Sequence, residues 1–320
     1  MSIFHPLYIS SLSFNNNVWL APMAGFTNPP FRRMCLDFGA GASFSEMVSV
    51  EGIIRNNKRT LTYIECVSDN DIIQIFGGDY NSFYKASKIL SERFNIKVID
   101  INFGCPVRKV VRGGAGSFLL KYPDRMADIV KAVKDGGIEM VFGKIRAGFD
   151  SEELEKIIPS IDKAGIDLIT LHARLAIQFY SGVANRNYII KARSLTDKIL
   201  IANGDIKTPE DVENMLTETK ADGVMIGRMA IEKPFIFKMV KDYFALGSYE
   251  NIENIDLRDL VVNFVNSYCS YYKNDNIVGI RGILLGMIKR FPFARELRDK
   301  VAKVKTSKEF FTVMREVCYD

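Results

Sequence analysis

Three features of the sequence predict an α/β fold, a (β/α)8 TIM barrel followed by a C-terminal all-helical domain. Eight short apolar runs alternate with amphipathic helical segments over roughly 230 residues, close to the usual length of such a barrel. Nearly every run is continuously apolar, which is typical of parallel strands buried on both faces. After the eighth run the helical pattern continues without another strand-like run.

The predicted strands end in polar, glycine or sulfur-containing residues. The runs are Val18–Met23, Ala42–Val48, Asp71–Gly77, Val98–Gly104, Met140–Arg146, Asp167–Ala173, Ile199–Asp205 and Asp222–Arg228. A doubly wound open sheet is the alternative, because a strand count alone does not show that a barrel closes. In a closed barrel all eight ends meet at one mouth, where the active sites of barrels lie. The chemistry at the run ends therefore favours the barrel.

Helical periodicity and helix-end signals define the segments between the runs. Apolar residues three and four apart predict helices over Tyr80–Phe94 and Tyr122–Gly137. A third helix is predicted over Thr208–Gly223, with Thr208 as N-cap and Pro209 at its first position. Such helices between apolar runs are the crossovers that parallel strands require.

Length and composition predict one large domain and a smaller one. The chain has 320 residues, of which 48% are hydrophobic and 25% charged, an ordinary globular composition. The change of pattern near residue 245 divides it into a barrel over residues 1–245 and a helical domain over residues 246–320. The net charge of +5 permits a polyanionic partner without requiring one.

The cysteines and the chain start predict a cytoplasmic protein. Five cysteines lie far apart with no CxxC pair, which disfavours both a disulfide framework and a zinc ribbon. The N-terminal residues lack the basic start and apolar core of a signal peptide. The apolar stretch Leu260–Tyr272 is too short and too polar to cross a bilayer. We expect a monomer with no membrane partner.

The C-terminal region is strongly basic. Between Arg281 and Lys308 there are nine basic residues and two acidic ones. Such a segment is either a solvated helix face or a surface that binds nucleic-acid phosphates. Arg281, Arg290 and Arg298 are candidate RNA contacts if the second interpretation holds.

The strand ends also suggest a site for a phosphorylated cofactor. Barrel loops after the last two strands often bind phosphate, and here they contain Asn203-Gly204-Asp205 and Gly227-Arg228. A buried Lys144 could hold the negative charge of a reduced flavin, and Gln74 could hydrogen-bond an amide-like edge. His172 taken alone is as well explained as a core residue. No residues at metal-ligand spacing accompany it, so no metal site is expected. Rossmann and P-loop motifs are both missing from the sequence.

The stretch Asp100–Gly116, DINFGCPVRKVVRGGAG, joins a thiol to a basic, glycine-rich segment. Cys105 is either a small core residue or a group that does chemistry on an anionic partner. A free thiol has a pKa of about 8.5 and can donate a proton at neutral pH. That role requires that the cations which follow do not lie against the sulfur, whereas they could bind RNA phosphates.

Several motifs together make the chain resemble the tRNA-dihydrouridine synthases, nearest the bacterial B-type subgroup. In order, these motifs are APMAGFTNPPFR (residues 21–32), SEMVS (45–49), QIFGGD (74–79), DINFGCPVRKVVRGGAG (100–116), GKIRAGF (143–149), HARLAIQFYSGVA (172–184), IANGDI (201–206) and DGVMIGR (222–228). The resemblance is strong over residues 18–240 and fainter over residues 280–298. The GCP segment with its following K-V and G-x-G is its most specific part.

The resemblance implies a flavoprotein oxidoreductase of tRNA processing. Bound FMN and the transient reductant NADPH would serve the reduction of the 5,6 double bond of a uridine, and the helical domain would bind tRNA. The flavin would contact Pro22, Met23, Gln74, Lys144 and His172. Its phosphate would be surrounded by Asn203, Gly204, Asp205, Gly227 and Arg228. Asn102 and Arg174 would face the uracil, and Cys105 would be the proton donor. Arg108, Lys109 and Arg112 would contact RNA.

Three departures from the family pattern concern RNA docking more than flavin chemistry. The sixth loop usually has Ala-Asp-Trp where this chain has Ala184-Asn185-Arg186. In the eighth loop, Gly227-Arg228-Met229 and the later Lys233-Pro234 stand where the family often has Gly-Arg-Gly and Asn-Pro. In the C-terminal region, Arg281-Gly282-Ile283 stands where the family has Arg-Lys-His.

Two other functions compete with this interpretation. One is a flavin-dependent barrel that reduces a small molecule, of the dihydroorotate or enoate type. The other is a non-catalytic RNA-binding module. The basic segments disfavour the first, and the presence of Cys105, Lys144 and His172 together disfavours the second.

Overall fold

A computed structural model of the chain describes residues 3–249, 257–291 and 293–318. The strands in this part of the chain are β1 (Leu7–Ile9), β2 (Leu12–Phe14), β3 (Val18–Leu20), β4 (Ser43–Phe44), β5 (Val48–Ser49), β6 (Asp71–Phe76), β7 (Val98–Asn102), β8 (Met140–Arg146), β9 (Leu168–His172), β10 (Ile199–Asn203) and β11 (Gly223–Ile226). Each of the eight predicted apolar runs contributes at least one of them.

The strands form the predicted barrel. They are hydrogen-bonded in the order β3-β11-β10-β9-β8-β7-β6-β4, every neighbouring pair is parallel, and β5 also pairs with β6. The first and second runs are joined by backbone hydrogen bonds from Leu20 N to Ala42 O and from Gly41 N to Val18 O, each 2.9 Å long. These bonds link the two ends of the sheet, so the TIM barrel is confirmed over the open sheet.

The second predicted run is divided into two short strands, because a side chain replaces a backbone partner. Gln74 N in β6 donates to Ser45 Oγ at 3.0 Å instead of to a main-chain carbonyl. The ladder is interrupted at this point and resumes where Val48 pairs with Ile75.

The barrel interior is apolar at its base and polar at its mouth. The antiparallel hairpin β1–β2 belongs to an apolar cluster with interior side chains that include Trp19, Phe44 and Phe142. Trp19 is fully buried and donates from Nε1 to Asn16 O at 3.0 Å. Polar interior side chains therefore occur toward the carboxyl ends of the strands, where they can reach a ligand.

Helices surround the barrel. They are α1 (Pro29–Asp37), α2 (Val50–Ile54), α3 (Lys58–Leu61), α4 (Tyr80–Phe94), α5 (Arg108–Arg112), α6 (Pro123–Asp135), α7 (Leu154–Lys163), α8 (Arg186–Arg193), α9 (Pro209–Thr219), α10 (Arg228–Glu232) and α11 (Ile236–Leu246). Three of them, α4, α6 and α9, correspond to the three helices that the sequence predicts between the apolar runs. The bounds of α4 agree with the prediction. Thr208 caps α9, since its hydroxyl accepts from Asp211 N at 3.3 Å.

The C-terminal region is helical, as predicted. Its helices are α12 (Leu257–Tyr272), α13 (Arg281–Met287), α14 (Ala294–Val301) and α15 (Ser307–Cys318), with 3-10 turns before and after α13. The Phe264 ring of α12 packs edge-on against Phe31 of α1, with centroids 6.2 Å apart. The division of the chain near residue 245 stays a prediction. Among the described helices, none combines the length and apolar character that a membrane span needs.

Candidate active site at the barrel mouth

A cavity of about 810 Å³ lies at the carboxyl ends of the strands. It brings together the predicted catalytic and cofactor residues and two of the predicted RNA contacts. These are Pro22, Met23, Gln74, Asn102, Cys105, Lys144, His172, Arg174, Asn203, Gly204, Asp205, Gly227 and Arg228. They come from widely separated parts of the chain, and their convergence follows from closure of the barrel.

A hydrogen-bonded relay crosses the floor of the cavity. Asp100 Oδ2 accepts from Gln74 Nε2 at 2.6 Å, and Gln74 Oε1 accepts from Asn102 Nδ2 at 2.8 Å. Asn102 Oδ1 accepts from the backbone N–H groups of Gly104 at 3.1 Å and Cys105 at 2.9 Å. The relay therefore connects a buried carboxyl group to the backbone of the cysteine.

Cys105 is half-buried and carries a neutral thiol. Burial raises its pKa, against the opposing effects of the Val107 N–H group and the charges of Arg146 and Lys144. The predicted RNA contacts Arg108, Lys109 and Arg112 are exposed on α5 and do not contribute to this pKa. The cations that act on the sulfur thus come from β8 rather than from the basic segment after the cysteine.

Two basic side chains of the cavity, Lys144 and His172, are buried, and burial lowers the pKa of each. Lys144 Nζ donates to Asn203 Oδ1 at 3.0 Å, and burial followed by repulsion from Arg146 lowers the pKa of this lysine to about 8. Burial and the surrounding cations hold the pKa of His172 well below its usual range. His172 Nε2 lies 3.2 Å from Arg174 Nη1, so the neutral ring accepts at Nε2 and carries its proton on Nδ1.

Ion pairs of Asp205, in the loop after β10, connect this loop to Arg228 after β11 and to Arg174 after β9. Asp205 accepts from Arg174 at 2.7 Å, from Arg228 at 2.9 Å and from Ala184 N at 2.8 Å. Burial acts to raise the pKa of Asp205, but these hydrogen bonds and charges outweigh it and lower that pKa. Arg174 is buried by this arrangement, whereas the Arg228 side chain remains 55% exposed.

One glycine in these loops is required by its surroundings. Gly204 has φ +136°, and a Cβ added there would lie 2.7 Å from Ala184 Cβ. The neighbouring Asn203 uses both ends of its amide, since Nδ2 donates to Met225 O at 2.7 Å. The Asn203 side chain therefore orients Lys144. Gly204 has no side chain, so its backbone is accessible from the cavity.

Two polar residues of the site are missing from the sequence-based prediction. Asp100 is 1% exposed and Arg146 is 2% exposed. The Arg146 guanidinium donates to the carbonyls of Gly104, Leu175 and Phe179 at 2.7–3.0 Å and lies over the Tyr180 ring. Burial lowers the pKa of Arg146 to about 10. Strand alternation could have identified both, because they lie two residues from Asn102 and Lys144, on the same interior face.

The other predicted RNA contacts lie outside the cavity. Arg290 and Arg298 are exposed, and Arg281 donates to Ala302 O at 2.8 Å. The departures in the sixth loop have structural partners, since Asn185 caps α8 and Arg186 pairs with Glu218 at 2.7 Å. Within the described ranges, no three His, Cys, Asp or Glu side chains are grouped to hold a metal ion.

The glycine run after α5 packs closely against the backbone of the cysteine. Gly116 has φ +60°, and a Cβ there would lie 2.8 Å from Cys105 O. Ser117 N donates to the same carbonyl at 3.0 Å. Gly116 thus allows two backbone segments to approach each other, and the hydrogen bond from Ser117 N holds the cysteine segment in place.

Comparison with known proteins identifies a family over nearly the whole chain. The family model described as "Dihydrouridine synthase (Dus)" matches residues 19–319. A probable tRNA-dihydrouridine synthase of Aquifex aeolicus is 34% identical over 307 residues, which cover 93% of this chain and 95% of that protein. The tRNA-dihydrouridine synthase B of Vibrio cholerae is 33% identical over 269 residues, covering 82% and 83% of the two chains.

Solved structures with low identity share the barrel fold. Histamine dehydrogenase from Rhizobium sp. 4-9 superposes with a TM-score of 0.58 at 14% identity, covering 83% of this chain and 51% of that one. A variant of NCR from Zymomonas mobilis superposes with a TM-score of 0.53 at 15% identity, covering 78% and 93%. These similarities concern the fold alone.

Proposed function

This chain belongs to the dihydrouridine synthase family, and from that premise we propose that it is an FMN-dependent oxidoreductase that reduces specific uridines in tRNA to dihydrouridine. The observation that carries the proposal is the shared cavity of Cys105, Lys144 and His172, in which a neutral thiol faces a buried ammonium group. A proton donor and a cation beside one cavity are what reduction of a polarised double bond requires.

The cavity residues fit a flavin mononucleotide by their own chemistry. A volume of about 810 Å³ lies within the range of roughly 300–1,000 Å³ that is usual for cofactor sites. Met23 and Met225 supply apolar wall, and Lys144 Nζ has donor capacity beyond its bond to Asn203. Arg228 and the glycine-containing loops beside it suit a phosphate.

Each residue then has a defined task. We assign flavin contacts to Pro22, Met23, Gln74, Lys144 and His172. Asn203, Gly204, Asp205, Gly227 and Arg228 belong to the loops that would surround the phosphate, with backbone N–H groups and the Arg228 guanidinium as its donors. When bound, FMN that NADPH has reduced supplies the hydride for C6 of the uracil. Lys144 places its positive charge where negative charge is present on the reduced cofactor. Neutral His172 offers a hydrogen-bonding ring without adding a further charge.

The remaining residues act on the nucleotide. Asn102 and Arg174 face the uracil, and Cys105 transfers its thiol proton to C5. The raised pKa of Cys105 supports this role, because a thiolate could not donate. The target base must leave its stack to reach the cavity, at a cost of a few kcal/mol.

The RNA surface in this proposal extends beyond the mouth. Arg108, Lys109 and Arg112 of α5 hold phosphates near the extruded base, and Arg281, Arg290 and Arg298 hold phosphates on the helical domain of residues 246–320. A monomer in the cytoplasm, where tRNA is found, completes the proposal. A reductase of small molecules is not favoured, because such a substrate requires neither group of exposed cations.

The test has a chemical and a cellular part. Purified protein is incubated with FMN, NADPH and unmodified tRNA, and dihydrouridine is mapped by mass spectrometry. The same mapping on RNA from cells with and without the gene identifies the uridine. Protein that cannot be reconstituted with FMN, or that forms no dihydrouridine on any tRNA, would sink the proposal.

A further inference from the structure

The buried carboxyl group of Asp100 lies next to Gln74 but does not line the cavity, and none of the proposed catalytic or binding tasks involves it. We propose that Asp100 is a positioning residue that sets the direction of the hydrogen bonds through Gln74 and Asn102 to the backbone of Cys105. The relay itself is a property of the folded chain. Its effect on turnover rests on the proposed function.

The Asp100 side chain accepts one hydrogen bond, from Gln74. Its side chain points into the barrel beside the apolar interior of Ile72 and Phe142, and it is 1% exposed. Oδ2 accepts from Gln74 Nε2 at 2.6 Å, whereas Oδ1 is buried without a hydrogen-bond partner. Burial raises the pKa of Asp100 to about 7, against the hydrogen bond from Gln74 and the charge of Lys144, which both favour its ionised form. A carboxyl group with one unpaired oxygen is costly to bury, which argues that it does more than fill space.

The direction of the relay follows from the chemistry of its first member. In its ionised form Asp100 only accepts hydrogen bonds, and the Gln74 amide then turns its NH2 group toward it, as observed. Gln74 Oε1 then faces Asn102 and can be satisfied only by the NH2 group of that residue. Asn102 Oδ1 is left to face the cysteine segment. The acceptor at the base of the relay and the two backbone N–H donors at its other end therefore require the same orientation of both amides.

The last member of the relay holds the segment that carries the thiol. Asn102 Oδ1 accepts from two successive backbone N–H groups, those of Gly104 and Cys105. If the relay were reversed, the Asn102 NH2 group would meet these two donors, and the segment would have to move. A displacement of about 1 Å at a reacting group is enough to cost a large factor in rate.

An asparagine at position 100 is predicted to cause this reversal. Its NH2 group in the place of Oδ1 would be buried without an acceptor and subject to repulsion from Lys144. If the asparagine instead turns its NH2 group toward Gln74, that group donates to Gln74 Oε1. The direction of each later hydrogen bond in the relay is then reversed. Asp100→Asn with Gln74→Glu restores the order, because the introduced carboxylate accepts from both the new asparagine and Asn102.

The experiment compares Asp100→Asn, this double variant and Asp167→Asn as a matched control. Asp167 is a half-buried acid immediately before β9 that pairs with Lys134, and it does not line the cavity. The readouts are hydrogen exchange of the peptide containing Gly104 and Cys105 and the rate of Cys105 alkylation, both measured without flavin. The kcat and KM for tRNA are measured on the reconstituted enzymes.

We expect Asp100→Asn to speed amide exchange in this peptide about tenfold, the effect of losing one hydrogen bond. It should also change the alkylation rate and lower kcat about tenfold or more, with the KM for tRNA unchanged. The double variant should recover wild-type exchange and alkylation, while its turnover stays low because Gln74 is a proposed cofactor contact.

Wild-type exchange and alkylation in Asp100→Asn would overturn the inference, and so would equal changes in Asp167→Asn. Should Asp100→Asn fail to fold, the double variant must fold, and a double variant that is equally unfolded also overturns it. Failure of the proposed function has a different signature, since wild-type protein would then form no dihydrouridine whatever the exchange data give.

Discussion

Lys144 Nζ lies 3.0 Å from Asn203 Oδ1, and the Asn203 amide is itself held by the carbonyl of Met225. The ammonium group is thus held in place by a neutral acceptor, which leaves its charge uncompensated by that partner. Burial lowers the pKa of Lys144 to about 8, so most of the group is charged at neutral pH.

This arrangement predicts that charge at position 144 matters more than its volume. Lys144→Gln should keep the fold but lower the rate of flavin reoxidation by tRNA about 10²–10³-fold, as for loss of one preorganised electrostatic contact. Stopped-flow absorbance of the flavin measures this rate. Lys163→Gln, an exposed lysine of α7, is the control. Equal rates in the two variants would remove the electrostatic role.

The neutral thiol of Cys105 predicts that its removal slows dihydrouridine formation without loss of flavin binding. Cys105→Ala should retain FMN but form dihydrouridine about 10²–10⁴-fold more slowly, the usual contribution of a positioned acid. Mass spectrometry of tRNA measures the product. Cys269→Ala removes another half-buried thiol, outside the cavity, and should leave the rate unchanged. Normal turnover in Cys105→Ala would assign the proton to another group.

Cys105 should also titrate at higher pH than a free thiol. Burial raises its pKa, so its alkylation by iodoacetamide should remain slow at pH values where a free thiol, with a pKa of about 8.5, already reacts. The rate at this cysteine, followed against pH by peptide mass spectrometry, measures the effect. Rapid alkylation at neutral pH would indicate a thiolate and contradict the acid role.

The low pKa of His172 predicts that the protein loses stability in acid. Its folded-state pKa is depressed, so the unfolded chain binds more protons as the pH falls below about 6.5. The stability that neutral His172 contributes is therefore present above that pH and lost as the pH falls toward the folded-state value. The difference in the free energy of unfolding between wild type and His172→Gln, measured with urea at several pH values, gives the contribution of His172. A constant difference between the two proteins would show that His172 does not contribute.

The pair Arg32–Asp71 predicts a large effect on stability. Both side chains are fully buried and 2.9 Å apart, and Arg32 also donates to the carbonyls of Thr27 and Glu65 at 2.7 Å. Arg32→Met should reduce the free energy of unfolding by about 3–5 kcal/mol, because it leaves a buried carboxyl group without its partner. Arg55→Met breaks an exposed pair with Glu51 and should have little effect. Equal urea midpoints in the two variants would contradict this expectation.

Exposed cations of the helical domain predict a salt-dependent contribution to tRNA binding. Charge reversal of Arg290, Arg298 and Lys305 should weaken binding and flatten its dependence on salt by about 0.7–0.9 per lost phosphate contact. Filter binding over a range of salt concentrations measures the slope. Reversal of Lys131, Lys156 and Lys163 on the outer helices α6 and α7 is the matched control. An unchanged slope would mean that the segment is simply a solvated surface.

Local sequence patterns were sufficient for most of the secondary structure. The bounds of α4 and the cap of α9 follow from signals within a few residues of each other, so no distant contact is needed to predict them. The interruption between β4 and β5 could not be predicted in this way. It arises because Ser45 bonds to Gln74, a residue 29 positions later in the chain.

The sequence by itself determined the fold class, the family and most residues of the mouth, because strand ends and short motifs are local and chemically distinctive. Only the tertiary structure decided how these residues act together. Burial lowers the pKa of Lys144 and raises that of Cys105. Pairing of neighbouring strands places Asp100 beside Gln74 and brings Arg146 near Cys105. Desolvation and hydrogen-bond direction depend on neighbours that are distant in the chain, which is the physical reason that a linear pattern does not contain them.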